Sequence, residues 1–553
     1  MNPEISVLQR ERAKYSPKMP KALRKGFKSV TIHKGKPTKA AADVAAIKSM
    51  FPHCFGQPIV TFAAGKGAPN KAALNVGVVL SGGQAPGGHN VIAGIYDGLK
   101  SLNSRSRLLG YLGGPQGLIN DDCIDLTGDV VDAYRNTGGF DIIGSGRTKL
   151  ETPEQFAQVL ETAKRSDLSA IVIIGGDDSN TNACALAEWM AARGETIQVI
   201  GVPKTIDGDL RNQLIEMSFG FDTAVKVYSE LIGNICRDAC SARKYWHFIK
   251  LMGRSASHIT LEAALQTQPN IALISEEVAE KKMTLGQIVE QIVDIVVARA
   301  NRGRDFGIAL VPEGLIEFIP EIKTLIRELN DILAEHKVHY DSLGSTDQRL
   351  QFLNSRLTQE SSQCFSSLPV NIQIQLALDR DSHGNVQVSK IDTEALLVEM
   401  VSLRLKEIKA AGDYKGKFST QTHFFGYEGR CAPPSNFDAD YSYSLGRVAA
   451  GLIAFGLTGY IACVRNITQP ADKWEAAGLP LTMLMNVERR KGKDVPVIRK
   501  ALTETKGKPF KFFAKHRRDW AMNERYLYPG PIQYFGPSAV CDAPTKTLLL
   551  ERG

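Results

Sequence analysis

The stretch Ile171–Thr181, IVIIGGDDSNT, sets four β-branched residues in a row directly before two glycines and two consecutive aspartates. Such a run suits a parallel strand covered on both faces, and the glycines let the chain turn sharply at its carboxyl end. Open α/β sheets bind their ligands at that end. The neighbouring carboxylates of Asp177 and Asp178 repel each other unless a cation or positive side chain stands close, so the stretch points to a phosphate-plus-magnesium site. Taken alone, it also reads as a strand, an Asp-rich turn and a helix N-cap.

The segments on either side repeat the pattern. LNVGVVLSGG, from Leu74, reads as a strand and a glycine turn, and HNVIAGIYDGLKSL as the helix after it. TIQVIGVPKTID is a third strand that ends in charged residues. Strands alternating with helices at this spacing predict a parallel, doubly wound sheet. Trp246–Leu251, Asn270–Ile274 and Phe306–Val311 read as strands of a second sheet, whereas EIKTLIRELNDILAEH repeats apolar residues at helical spacing. The fold class expected is therefore α/β: two Rossmann-like three-layer domains with parallel-rich sheets, a helical insertion and terminal extensions. The expected boundaries are an N-terminal arm over 1–70, one domain over 71–221 with 429–480, and a second over 222–428 that includes the insertion 317–405. A C-terminal extension covers 481–553.

A chain of 553 residues exceeds what one hydrophobic core supports, and 43% apolar with 23% charged residues is ordinary for a globular protein. The net charge of +8 comes mostly from basic clusters at Lys14–Lys39 and Arg489–Arg518. No zinc-finger or aromatic RNA-binding motif accompanies them, so nucleic acid is not an expected partner. Nine scattered cysteines argue for a reducing compartment, and Cys236 and Cys240 read as small core residues. The N-terminal segment MNPEISVLQRERAKYSPK lacks the apolar core of a signal peptide. Val448–Val464 holds three glycines and reads as a buried helix followed by a strand, not a membrane span. A cytoplasmic location is expected.

Several turns carry groups suited to phosphate chemistry. Ser81–Gly88, SGGQAPGG, ends a strand and leads into a helix, where backbone N–H groups can face an anion. It matches neither the P-loop nor the dinucleotide glycine pattern. In Gly144–Lys149, GSGRTK, Arg147 and Lys149 can reach phosphate oxygens or simply line a surface turn. In Pro203–Asp209, PKTIDGD, a carboxylate at a strand end can take a proton from a hydroxyl while Lys204 stabilises charge on a transferring phosphoryl group. Met252-Gly-Arg254 and Gly426-Tyr-Glu-Gly-Arg430 add arginines beside glycines, suited to bidentate phosphate contacts.

The ordered set SGGQAPGGHN, GGDDSNTNA, PKTIDGD, KYWHFIKLMGR, VPEG and GYEGR closely resembles the diphosphate-dependent 6-phosphofructokinases, in particular their long-chain group. The resemblance runs from about Asn75 to Tyr441 and reappears near Ile461. It implies reversible, magnesium-dependent transfer of a phosphoryl group from diphosphate to the 1-hydroxyl of fructose 6-phosphate. By resemblance, Asp207 is the general base, Asp177 the magnesium-associated carboxylate, and Gly82 with Gly83 the backbone contact to diphosphate, joined by Arg147, Lys149 and Lys204. Thr205, Ile206 and Arg254 lie near the reacting group, and Met252 and Gly253 shape the sugar pocket. Glu313, Tyr427, Glu428, Gly429 and Arg430 resemble the residues that hold the sugar and its 6-phosphate, with Glu276 competing against Glu313. Lys244 and Tyr245 occupy places that related kinases fill from a neighbouring subunit, which implies a homodimer.

ATP-using relatives carry glycine where this chain has Asp178 and Lys204. An aspartate there takes up the room of a nucleotide α-phosphate and repels its charge, whereas lysine offers positive potential to a compact donor. The alternatives are an ATP-dependent kinase of the same fold and a non-catalytic regulatory subunit of a diphosphate enzyme. Retention of Asp177, Lys204, Asp207 and Arg254 speaks against the latter.

Overall fold

The computed structural model describes residues 5–378, 386–387, 390–490 and 493–552. Parts of the expected arm (1–4), insertion (379–385 and 388–389) and C-terminal extension (491–492 and 553) lie outside the described residues. The strands in chain order are β1 Val30–Pro37, β2 Pro58–Ala64, β3 Asn75–Leu80, β4 Arg107–Tyr111, β5 Cys123–Asp125, β6 Ala170–Gly175, β7 Gln198–Pro203 and β8 Trp246–Leu251. They continue as β9 Ile271–Ala272, β10 Gly307–Pro312, β11 Thr420–Phe425, β12 Tyr460–Arg465, β13 Glu475–Pro480, β14 Met485–Arg490 and β15 Lys493–Ile498.

The chain forms two compact units. The first comprises Met1–Val227, Tyr427–Ala501 and Ile532–Gly553. Its sheet has nine strands in the order β1-β2-β13-β12-β7-β6-β3-β4-β5. The central five, β12 to β4, are parallel, and the outer pairings are antiparallel. Every residue of β6 is buried, as its unbroken apolar run requires. Its register sets Ile171–Ile174 against Gly77–Leu80 on one side and Val199–Val202 on the other. The carboxyl ends of β3, β6 and β7 therefore lie side by side.

Two helices of this unit, α1 (Gly88–Leu102) and α3 (Asn436–Ala454), pack closely because each carries a glycine at the crossing. A Cβ on Gly94 would come within 2.3 Å of the Tyr443 carbonyl oxygen, and one on Gly446 within 2.1 Å of that of Val91. The α3 helix is buried along its whole length and leads to β12, in line with the helix and strand expected over Val448–Val464. Within the segment 1–70, expected as an arm lying over a core, β1 and β2 join the sheet, with Thr61 and Val60 paired to Ala477 and Gly478. Alternation over Pro58–Ala64 buries Val60 and Phe62 and makes this extension energetically worthwhile.

The second unit comprises Tyr228–Gly426 and Leu502–Pro531. Its four-stranded sheet, β11-β8-β10-β9, is parallel throughout. Helices between Pro320 and Ala410 share a continuous apolar core with β8 and β10, so the helical insertion is part of this unit's packing.

Candidate active site

Three turns meet at the carboxyl edge of the first unit's sheet. After β6, the chain passes through Gly176 into α2 (Asp177–Ala191), with Asp177 and Asp178 in the first turn, where the helix dipole favours negative charge. Asn180, fully buried, ties this turn to its neighbours by donating from Nδ2 to the carbonyls of Gly175 (2.7 Å) and Gly176 (2.8 Å). After β3, Ser81 and Ser179 hydroxyls meet at 2.8 Å, and the Gly82 N–H donates to the Gly146 carbonyl at 2.8 Å. That bond draws the Gly144–Lys149 turn alongside. Arg147 is exposed there, and the Lys149 ammonium lies 3.8 Å from the Asp178 carboxylate.

Lys204, directly after β7, is a buried cation whose ammonium donates to the Gly83 carbonyl at 2.8 Å. Burial pulls its pKa down to about 8, the Arg430 charge adds to that, and Asp207, Asp177 and Asp209 oppose it. The Asp207 N–H donates to the Thr205 hydroxyl at 3.0 Å, and the Thr205 carbonyl accepts from Ser218 at 3.1 Å. This pins the turn bearing the expected base, while Ile206 is buried beneath it. Asp209 is buried as well; burial and then the Asp207 charge push its carboxyl up to about 7.

Two features of this edge escaped the sequence reading. Lys500 stands 3.7 Å from both the Asp177 and the Asp209 carboxylates. Burial lowers its affinity for a proton, but Asp177, Asp209, Asp207 and Asp178 together outweigh that and raise its pKa. The Asp177 carboxyl is raised chiefly by burial, with Lys500 opposing and Asp178 adding. The second is the approach of Arg430, itself an expected sugar-phosphate residue, to the Gly83 turn. The Arg430 Nε donates to the Gln84 carbonyl at 3.4 Å, and a Cβ on Gly83 would fall 1.7 Å from its Nη2, so the guanidinium occupies the space left by that glycine's missing side chain. Tyr427 and Glu428 are exposed, Gly429 is buried, and the Arg430 guanidinium carbon is 5.9 Å from the centre of the Tyr427 ring.

The second unit holds the remaining expected residues. Its β8 runs into Met252, Gly253 and Arg254, and β10 into Glu313. Buried Glu313 accepts from the Gly253 N–H at 2.8 Å, which holds the Met252–Arg254 turn. Gly314 lets the backbone pass close to Arg254, since a Cβ there would meet the Arg254 carbonyl oxygen at 1.8 Å. Arg254 is exposed. Glu276, the competing candidate, accepts from the backbone N–H groups of Ser257 (3.0 Å) and Thr503 (2.8 Å). Glu276 thus stitches backbone to backbone, whereas Glu313 sits at a strand end beside the glycine turn. Lys244 is exposed and Tyr245 half-buried just before β8.

Parallel strands that end on glycine turns, paired carboxylates and a buried lysine define a doubly wound α/β protein built to handle anions. The phosphofructokinase family model matches residues 75–351, and the chain belongs to that family. It is 56% identical over 557 residues to the pyrophosphate--fructose 6-phosphate 1-phosphotransferase of Treponema pallidum, covering 99% of this chain and 97% of that protein. Identity to the Porphyromonas gingivalis protein of the same name is 56% over 547 residues, covering 99% of each. A solved structure of a pyrophosphate-dependent phosphofructokinase from Nitrosospira multiformis shares the fold with a TM-score of 0.54 at 16% identity, over 85% of this chain and 97% of that one.

Proposed function

We propose that this chain catalyses the reversible transfer of a phosphoryl group from diphosphate to the 1-hydroxyl of fructose 6-phosphate, giving fructose 1,6-bisphosphate and phosphate in glycolysis and gluconeogenesis. The observation that carries this reading is the buried Lys204 ammonium bonded to the backbone of the Gly82–Gly83 turn. It brings positive charge to that turn, and Asp178 stands in the first turn of α2, after the strand β6 that pairs with β7. A compact, highly charged donor suits that space better than a nucleotide. Close relatives named for this reaction span the chain nearly end to end. The test is to mix chain, magnesium and fructose 6-phosphate with either diphosphate or ATP and follow fructose 1,6-bisphosphate. Product with diphosphate alone is expected; product with ATP alone would favour the nucleotide-dependent alternative, and no product with either would favour the non-catalytic subunit.

In this reading Asp207 is the base, Lys204 and Arg254 stabilise charge on the transferring group, and Asp178 restricts the donor. Gly82 and Gly83 contact diphosphate, with Arg147 and Lys149 at the rim. Thr205 and Ile206 shape the sugar side of the Asp207 turn. Met252, Gly253, Glu313, Tyr427, Glu428, Gly429 and Arg430 hold the sugar phosphate, and Lys244 and Tyr245 serve a neighbouring copy in a homodimer.

Magnesium fits the donor end. Among the described residues no cluster of three or more His, Cys, Asp or Glu forms a protein cage for a metal. Magnesium is usually held by one or two carboxylates together with substrate phosphates, and Asp177 offers such a carboxylate at the donor turn. Bound with the donor, it would neutralise charge on the phosphate oxygens. A cytoplasmic location agrees with nine free cysteines. Among the described residues no helix is long and apolar enough to cross a membrane.

The crowding at Gly83 makes a further expectation. The atoms in the way of an added methyl belong to the end of a flexible arginine, so Gly83→Ala should fold normally and displace the Arg430 guanidinium. Loss of one charge-assisted contact should raise the KM of the substrate that Arg430 grips about tenfold. Steady-state kinetics with each substrate varied would check this, and unchanged constants would remove Arg430 from the site.

A further inference from the structure

The C-terminal segment carries a second cation into the donor end. It is anchored there by backbone: the Ile498 N–H donates to the Thr181 hydroxyl on α2 at 3.2 Å, and the Ala501 N–H to the Asp209 carbonyl at 2.7 Å. Between these anchors, the Lys500 ammonium spans the Asp177 and Asp209 carboxylates at 3.7 Å each. Both distances exceed the 2.7–2.9 Å or so of a tight charge-assisted bond, so the ammonium bridges the pair and does not cap one member. The side chain keeps 37% of its surface exposed, which leaves it within reach of solvent and of an arriving anion.

We infer that Lys500 is a positioning residue for the phosphoryl donor, offsetting the charge of Asp177 and Asp209 and supplying positive potential beside the Lys204 turn. The inference rests on the functional reading above. Asp177, Asp178, Asp207 and Asp209 lie within two short turns of one sheet edge, and an anionic donor has to approach them. Their repulsion must be offset locally, since a charge at a distance is screened by salt. Lys204 offsets it as a buried cation held by the Gly83 carbonyl, with Asp207, Asp177 and Asp209 in its field. Lys500 does so from a segment far along the chain, at the two carboxylates it bridges.

Lys500→Gln keeps a polar, shorter side chain and removes the charge, and Lys500→Arg keeps the charge with altered reach. In Lys500→Gln the KM for diphosphate should rise about tenfold or more, as expected for a lost charged contact, while that for fructose 6-phosphate stays within about twofold. Lys500→Arg should recover most of the loss. Calorimetric titration with diphosphate in the presence of EDTA should show the same weakening without turnover or metal. Diphosphate constants within about twofold of the parent protein, or equal rises in both KM values, would overturn the inference by leaving Lys500 a purely structural role. Failure of the parent protein to use diphosphate at all would instead overturn the functional reading beneath it.

Discussion

Replacing Asp207 with Ser is expected to lower kcat by roughly 10²- to 10⁴-fold, the span that general-base catalysis contributes, while KM for either substrate changes far less. The Asp207 N–H remains free to donate to the Thr205 hydroxyl in the variant, so the turn should keep its shape and only the carboxylate is lost. Phosphoryl transfer needs little covalent help from the protein. Positioning and electrostatics supply most of the acceleration, and the base matters because the attacking hydroxyl must shed its proton. Steady-state turnover in both directions, with circular dichroism to check folding, would decide. Near-normal turnover would move the role of base to another group, and Asp209, buried and already raised to about 7, would be the first to test.

The donor should change when both restricting side chains are removed. In Asp178→Gly with Lys204→Gly, kcat/KM for diphosphate is expected to fall by roughly 10²-fold or more, and ATP should become a measurable donor. Lys204 alone accounts for much of the loss, since its ammonium is buried against the Gly83 carbonyl and its removal leaves that acceptor without its partner. Asp178 acts differently. It is exposed, in the first turn of α2 and 3.8 Å from Lys149, so its removal should cost little stability while opening space for a bulkier phosphate chain. Competition assays with both donors would read the outcome, and an unchanged preference in the double variant would remove this account of donor choice.

Much of the first sheet was legible because its signals are local. The unbroken β-branched run of β6 and the glycine turns after β3 and β6 each lie within about ten residues, and period and turn chemistry act at that range. The buried α3 helix and β12 were legible for the same reason. Entry of β1 and β2 into the sheet was harder to read. Val60 and Phe62 do alternate with half-buried residues, but alternation shows only that one face is covered, not which strand covers the edge.

The site divides in the same way. Asp177, Asp178, Lys204 and Asp207 stand at strand ends, and their place on the sheet edge follows from counting along the chain. Asn180 left a weaker trace, since a buried amide that donates to carbonyls of β6, its turn and β7 looks in sequence like any polar residue of a first helical turn. Lys500 and the approach of Arg430 to Gly83 left none.

The sequence by itself determined that parallel strands end on small residues and charges, and that those charges suit phosphorylated ligands, because a buried strand and a tight turn are each dictated by residues adjacent in the chain. Only the tertiary structure decided which distant cations answer the carboxylates. That choice depends on how buried faces pack and on Coulomb energies between residues hundreds of positions apart, and neither has a local pattern to betray it.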